Sequence, residues 1–320
     1  MKIPFKKINL GGAYQNIKPL LKSGFIGLGN IVFEFEKELA AYLGAKYVVA
    51  VDSCASAIFL SLKYEAEQGL KEVTIPSMTV PLAANACLEA GLKIKFNNQT
   101  DWIGSAYEII GSNVIDSAHQ LQKGQYKAYR GKKLCFSFYP TKTIGSADGG
   151  AIATDDSEFA NWVRSISTYG RDQKPNRGNS WDYEVQIVGY KRHYTNLQAA
   201  ICLEQLRRLD ETSAKRKRII AIYNQALGYQ NKSDYLYRIN IADRDRFIQF
   251  ALENGVECGV HFKPLHLMTP FKNIPMSKAD KKKVEKAYQI TVSLPLYDTM
   301  TDREINKVIA VVKKYESIVK

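Results

Sequence analysis

Residues Leu134 to Thr154 read LCFSFYPTKTIGSADGGAIAT, and no other part of the chain says as much about its architecture. An apolar run, Leu134 to Phe138, has strand character and stops at Pro140. It delivers a single lysine, Lys142, just beyond its end. A glycine-rich turn follows (Gly145, then Gly149-Gly150), and a second apolar run, Ala151 to Ala153, returns. A lysine at the carboxyl end of a strand stands where open α/β sheets build their ligand sites. Partly desolvated, such an amine becomes a nucleophile toward carbonyl groups. A hairpin carrying a solvated lysine is the more ordinary reading of this stretch alone, so its surroundings must decide.

Outward from this stretch, strands and helices alternate. Tyr47 to Val51 runs into the small-residue turn and helix DSCASAIFLSL. Val73-Ile75 leads to the helical Thr79–Ala90, Ile94-Phe96 follows, and NVID closes a short strand on Asp116. This alternation predicts an α/β fold with a mostly parallel central sheet covered on both faces. Asn30 is expected to cap a helix carrying Val32, Phe35, Leu39 and Leu43, ended by Gly44. Residues 1–29 look extended, an arm rather than core. Another helix is expected over 156–168, and from Asn196 one long helix is expected to run through Leu227. Beyond it come a strand (Tyr235 to Ile241), a helix capped by Asp243, a strand (Val256 to Phe262), a helix over Ala279 to Ile290, and a final helix opening on the capping box Thr301-x-x-Glu304. The expected division is a large α/β domain over 1–209 with its arm, and a smaller α+β domain over 210–320.

Composition narrows the function classes. The chain has 320 residues, 45% of them hydrophobic, enough for a full core. No apolar stretch reaches membrane-spanning length, and the start lacks the apolar run of a signal peptide. Five scattered cysteines, mostly in apolar segments, read as reduced core residues of a cytoplasmic protein. Four histidines, with only His261 and His266 close together, argue against a metal centre. The net charge of +13 suits nucleic acid or an anionic small substrate equally, but no nucleic-acid reader motif accompanies it.

Three features combine: a strand-end carboxylate (Asp116), a strand-end lysine (Lys142) with Ser137 five positions before it, and a small-residue helix start at Ser53, Cys54 and Ala55. Pyridoxal phosphate chemistry asks for these parts. A lysine binds the cofactor's carbonyl and moves protons, and a carboxylate keeps the pyridine nitrogen protonated. A helix N-terminus and a hydroxyl hold the phosphate. Each part alone is weak, and a satisfied core or a solvated surface explains any one of them.

The wording of the segments resembles the DegT/DnrJ/EryC1/StrS sugar aminotransferases, of the aspartate aminotransferase fold (fold type I). SGFIGLGNIVFEFEKELAAYLGAKYVVAVDSCASAIFLSL resembles that family's opening, VIDSAHQ and FSFYPTKTIGSADGGAIATDD its cofactor core, and VGYKRHYTNLQAAICLEQLRRLD, GVECGVHFKPLHL and SLPLYDTMT later segments. The resemblance implies Lys142 as the residue bound to pyridoxal 5'-phosphate, Asp116 as partner of the pyridine nitrogen, His119 facing the phenolic oxygen, and Ser137 on the phosphate. Cys54 and Ala55 stand where the family has Gly-Thr, so the amides remain and a hydroxyl is lost. Val80 replaces an aromatic ring that stacks on the pyridine, Lys191 replaces an asparagine contributed by the neighbouring subunit, and His193 replaces an arginine. Between Phe96 and Asn113 the chain is shorter than the family by a strand and a helix, about 30 residues. The implied activity is transfer of an amino group, with glutamate as donor, to a nucleotide-linked keto sugar in surface polysaccharide or glycoside synthesis, by a homodimer with shared sites. The basic loop Arg171 to Trp181, with His261 and His266, is a candidate contact for the substrate. A sugar dehydratase and a non-catalytic sugar- or nucleotide-binding relative are the competing readings.

Overall fold

A computed structural model describes residues 2–171 and 183–319. The basic loop expected to contact substrate therefore lies almost wholly outside the described residues. The elements run α1 (Ala13–Ser23), α2 (Asn30–Leu43), β1 (Tyr47–Val51), α3 (Cys54–Glu67), β2 (Glu72–Pro76), α4 (Pro81–Glu89), β3 (Lys93–Asn97), β4 (Tyr107–Ile109), β5 (Val114–Asp116), β6 (Lys133–Ser137), β7 (Gly150–Thr154) and α5 (Ser157–Ser167). They continue with α6 (Asn196–Arg207), α7 (Leu209–Leu227), β8 (Tyr237–Asn240), α8 (Arg244–Glu253), α9 (Lys278–Ile290), β9 (Thr291–Leu294) and α10 (Asp302–Val319).

Five strands form one sheet in the order β1-β7-β6-β5-β4. The parallel pair β2·β3 extends it, because Thr74 and Ile110 exchange backbone hydrogen bonds of 2.9 and 3.0 Å across β2 and the end of β4. β1·β7, β6·β7 and β4·β5 pair antiparallel, and β5·β6 pairs parallel. Strands β1, β2, β3, β5 and β6 thus share one direction, while β4 and β7 oppose it. The sheet is mixed, with the shared direction in the majority. β7 must reverse because the twelve residues from Phe138 to Gly149 hold no crossover helix, whereas a parallel return needs one. The chain at 98–113 is as short as expected, and β4, three residues running backwards, fills the position between β5 and β2.

Several local expectations need correction. The arm is not wholly extended: Ala13–Ser23 is a helix with Pro19 inside it, ended by Gly24 in the left-handed conformation. Gly29, not Asn30, is the residue preceding α2. The long helix breaks at Arg208 into α6 and α7. Val256 to Phe262 makes only isolated bridges, Ile3↔Val256 and Gly259↔Ser293, because the chain there is shared between the arm and β9. The final capping box is formed: the Thr301 amide donates to Glu304 Oε2 at 2.8 Å, and the Glu304 amide to Thr301 Oγ1 at 3.3 Å.

Two apolar clusters lie on either face of the large sheet. One joins α3, α4 and α5 to the strands and reaches Tyr235, Leu265 and Val284. The other joins α2 and α6 to the opposite face through Phe35, Phe136, Phe138 and Tyr194. A third, around Tyr223, Tyr237, Phe247 and Tyr315, includes Ile3 from the arm. One buried ion pair braces the base of the sheet. Lys133 Nζ lies 2.6 Å from Glu65 Oε1, with both side chains 10% exposed, and Glu65 also accepts from the Asn113 amide at 3.0 Å. Replacing Lys133 by Met is expected to strand the Glu65 charge and cost about 3–5 kcal/mol in urea denaturation. Adding Glu65→Gln should restore part of that loss.

Candidate active site

The shared strand direction explains why distant residues meet. The carboxyl ends of β1, β2, β5 and β6 lie along one edge of the sheet, and they lead directly into Ser53, Thr79-Val80, Asp116 and Lys142. The first turn of α3 presses against β7 at Gly150. A Cβ there would lie 2.5 Å from both the Cys54 nitrogen and the Ser53 carbonyl oxygen, so only glycine permits this approach. Gly150 pairs with Ser137, which brings the serine beside the helix start. Ser53 caps α3, accepting from the Ser56 amide at 3.1 Å. The first amides of the helix, Cys54 and Ala55, have no acceptor within their own helix and carry its positive end.

The turn bearing Lys142 is fixed from below. The Lys142 amide donates to Tyr139 O at 2.9 Å and the Ser146 amide to Phe138 O at 2.9 Å. Gln205 on α6 clasps Gly145 at both ends, accepting from its amide at 3.1 Å and donating to its carbonyl. The Ser146 hydroxyl is 2.7 Å from that of Tyr194. Gly145 itself admits no side chain, since a Cβ would come within 2.6 Å of Tyr139 O.

Asp116 is 2% exposed. Burial pushes its carboxyl upward, against the opposing effects of the Ala118 amide at 2.9 Å, the Tyr107 hydroxyl and the field of Lys142. A buried carboxylate with too little positive charge around it suits a cationic ring nitrogen, which would draw it back toward ionisation. His119 is buried among Trp102, stacked at 5.2 Å, Tyr235 at 4.5 Å and Phe262 at 5.5 Å. Its Nδ1 accepts from the Gly104 amide at 3.2 Å, which leaves the proton on Nε2. Burial, then the charges of Lys142, His261 and Lys6, hold it neutral, well below its ordinary range. The donor set therefore fits pyridoxal phosphate: an amine, a buried carboxylate, a neutral imidazole N–H, and a hydroxyl beside free helix amides.

Ser53, Ala55, Val80, Ser137 and Lys142 are partly exposed along the same edge, while Cys54 is buried beneath it. Electrostatic coupling links Cys54, Asp116 and Lys142. The Lys191 side chain is exposed, on a segment that bridges to Thr168. His193 bridges to Val51, and its Nδ1 is buried with no hydrogen-bond partner among the described residues. His261 sits 6.4 Å from His119, ring to ring, whereas His266 bonds Ser77 at 2.6 Å and Glu285 at 3.0 Å.

Sequence reading missed four contributors. Tyr107 lies directly across from Asp116 in the β4·β5 register. Trp102 comes from the shortened segment, and its indole N–H is buried with no partner among the described residues. Arg192 reaches Ser56 Oγ at 3.1 Å in the first turn of α3. Lys6 lies over the Tyr235 ring at 4.5 Å, and Lys142 lies over the same ring at 5.1 Å. None carries a periodic or motif signal.

Burial and the Lys6, Lys142 and Arg238 charges hold His261 down at about 3. A histidine with a folded pKa below its unfolded value binds fewer protons when folded. Stability is therefore fully present above about pH 6.5 and is lost as pH falls toward 3, at up to about 1.4 kcal/mol per pH unit for this group. His261→Asn should flatten that acid slope in urea titrations between pH 4 and 6.

Comparison with known proteins agrees with this geometry. The sequence profile of the DegT/DnrJ/EryC1/StrS aminotransferase family matches residues 12–100 and 114–313. The interruption coincides with β4 and the segment before it. Spore coat polysaccharide biosynthesis protein SpsC of Bacillus subtilis is 28% identical over 93% of each chain. GDP-perosamine synthase of Caulobacter vibrioides is 26% identical over 88% of this chain and 89% of that one. In fold, the chain matches the putative sugar aminotransferase Spr1654 of Streptococcus pneumoniae in its PLP form, with a TM-score of 0.84 at 21% identity over the whole of both chains. This chain belongs to the DegT/DnrJ/EryC1/StrS aminotransferase family and has the α/β fold of its pyridoxal phosphate-dependent enzymes.

Proposed function

We propose that this protein transfers an amino group from glutamate to the carbonyl of a nucleotide-linked keto sugar, in the synthesis of a surface polysaccharide or glycoside. The observation that carries the reading is the convergence of Lys142, Asp116, His119 and the α3 N-terminus at one sheet edge, in a chain of this family. Bound there, pyridoxal phosphate supplies an electrophilic carbonyl and a ring able to hold an electron pair. Lys142 would provide the amine that holds the cofactor, and its Nζ would then serve to take up and return a proton. Asp116 would hold the ring nitrogen and keep it protonated. His119 offers its Nε2–H to the phenolic oxygen. Ser137 and the Cys54 and Ala55 amides hold the phosphate, which the helix dipole favours. Val80 gives the ring an apolar face of smaller area than an aromatic side chain would. The presence of Lys142 disfavours the dehydratase reading.

Lys191, exposed and next in the chain to Arg192, whose carbonyl accepts from the Asp52 amide at 2.9 Å just past β1, would meet the phosphate of a neighbouring subunit in a homodimer. The apolar surface of Tyr14 (66% exposed), Phe25 (78%) and Val188 (95%) supports such pairing. Five unpaired cysteines support residence in the reducing cytoplasm. Residues 1–209 would carry the cofactor and 210–320 cover it.

Adding pyridoxal phosphate to the purified protein should produce a visible absorption band that glutamate shifts to shorter wavelength. Lys142→Ala should remove the band and slow amino-sugar formation by about 10²–10⁴-fold or more. A band unaffected by that substitution, or normal turnover without the lysine, would sink the proposal.

A further inference from the structure

A second cluster of charge lies beyond Lys142, in a cleft between the lysine turn, the arm, the start of α7 and the segment before β8. Its lining includes five cations (Lys6, Lys7, Lys142, Arg208 and Arg216) against two carboxylates, Asp234 and Asp298. Both carboxylates already have neutral partners: Ser213 donates to Asp234 at 2.5 Å and Asn9 to Asp298 at 2.7 Å.

Arg216 is 7% exposed, yet its Nε and one terminal nitrogen have no hydrogen-bond partner among the described residues. The Nε of Arg208 is likewise buried and unpartnered there, and its nearest carboxylate, Glu204, is at 4.0 Å. Lys6 donates to the backbone carbonyls of Tyr235 and Leu296. Burial, then Arg216 and Lys142, pull its ammonium down to about 7. The charges of Asp234 and Asp298 offset part of the burial of Arg216, but a buried guanidinium with N–H groups that lack acceptors is costly, and at a cleft it is held ready for a further anion. The cleft offers about 40 Å³ of space. A single water needs roughly 10–15 Å³ on such a measure, so the space has room for a carboxylate group. The planar fork of an arginine matches a carboxylate's two oxygens.

We propose that this cleft is the carboxylate pocket of the amino donor: Arg216 and Lys6 hold an acid group of a dicarboxylic amino acid while its amine reaches Lys142. The inference rests on the aminotransferase reading and names its donor subsite. Arg216 and Lys6 act on binding, not on the reacting atoms, so their loss should raise the donor's KM and leave that of the sugar nucleotide unchanged.

The test is calorimetric titration of the cofactor-loaded protein with succinate, a dicarboxylate without an amine, and separately with UDP. Wild type should bind succinate; Arg216→Gln and Lys6→Met should each weaken it at least tenfold, and Arg216→Lys should recover part of the loss. UDP affinity should not move in any variant. No succinate binding by wild type overturns the proposal, as does equal binding by Arg216→Gln. So does a loss that falls on UDP instead, which would make the cleft a phosphate subsite. Lys6→Met, on the arm, keeps the question open to measurement if the α7 substitution impairs folding. Repeating the succinate titration without pyridoxal phosphate separates the two readings: failure of the cofactor band defeats the aminotransferase assignment, while succinate binding still judges the pocket.

Discussion

The close approach of the α3 N-terminus to β7 at Gly150 is the constraint on which the rest of the site depends. With no Cβ in the way, the helix start settles against the strand that returns from the lysine turn. That contact sets Ser53, Cys54 and Ala55 beside Ser137, and through the β5·β6 pairing it fixes their distance from Asp116. A methyl group at this point would drive helix and strand apart, and the phosphate cup would no longer face the amine. Gln205 and Tyr194 do the corresponding work on the other side, holding the lysine turn by its own backbone.

Much of this could be read from the chain. Lys142, Asp116 and the α3 start were legible because each follows an apolar run that ends abruptly, and parallel strands bring such ends together. Tyr107 was not, since a three-residue strand is too short to show a period of two. The helix at Ala13–Ser23 was hidden by its internal Pro19 and flanking glycines, which read as extended chain. The break at Arg208 leaves no mark in a stretch of good helix formers. The cleft at Arg216 was invisible for a different reason: Lys6 and Arg216 are 210 residues apart, and their meeting is decided by how the arm lies against α7.

Electrostatically the site is organised around shortages. At Asp116 the charge of Lys142, and at Arg216 the charges of Asp234 and Asp298, do not fully offset the effect of burial. A ligand of opposite charge at either place would offset more of that burial. Ligand binding to such groups adds to the stability of the native state by mass action. The buried histidines nearby, His119 and His261, are held neutral and add no charge of their own.

The backward strand β4 has a consequence for how the chain finds this arrangement. Tyr107 and Asp116, which face each other in the sheet, are nine residues apart, whereas Thr74 and Ile110 are separated by 36. Loop-closure entropy rises with the logarithm of that separation, at about 0.6 kcal/mol per doubling, and local pairings form sooner than distant ones. A hairpin in place of a crossover gives the middle of the sheet a local starting point. The carboxylate that meets the cofactor thus belongs to a unit able to assemble early, before the arm and the C-terminal segments close over it.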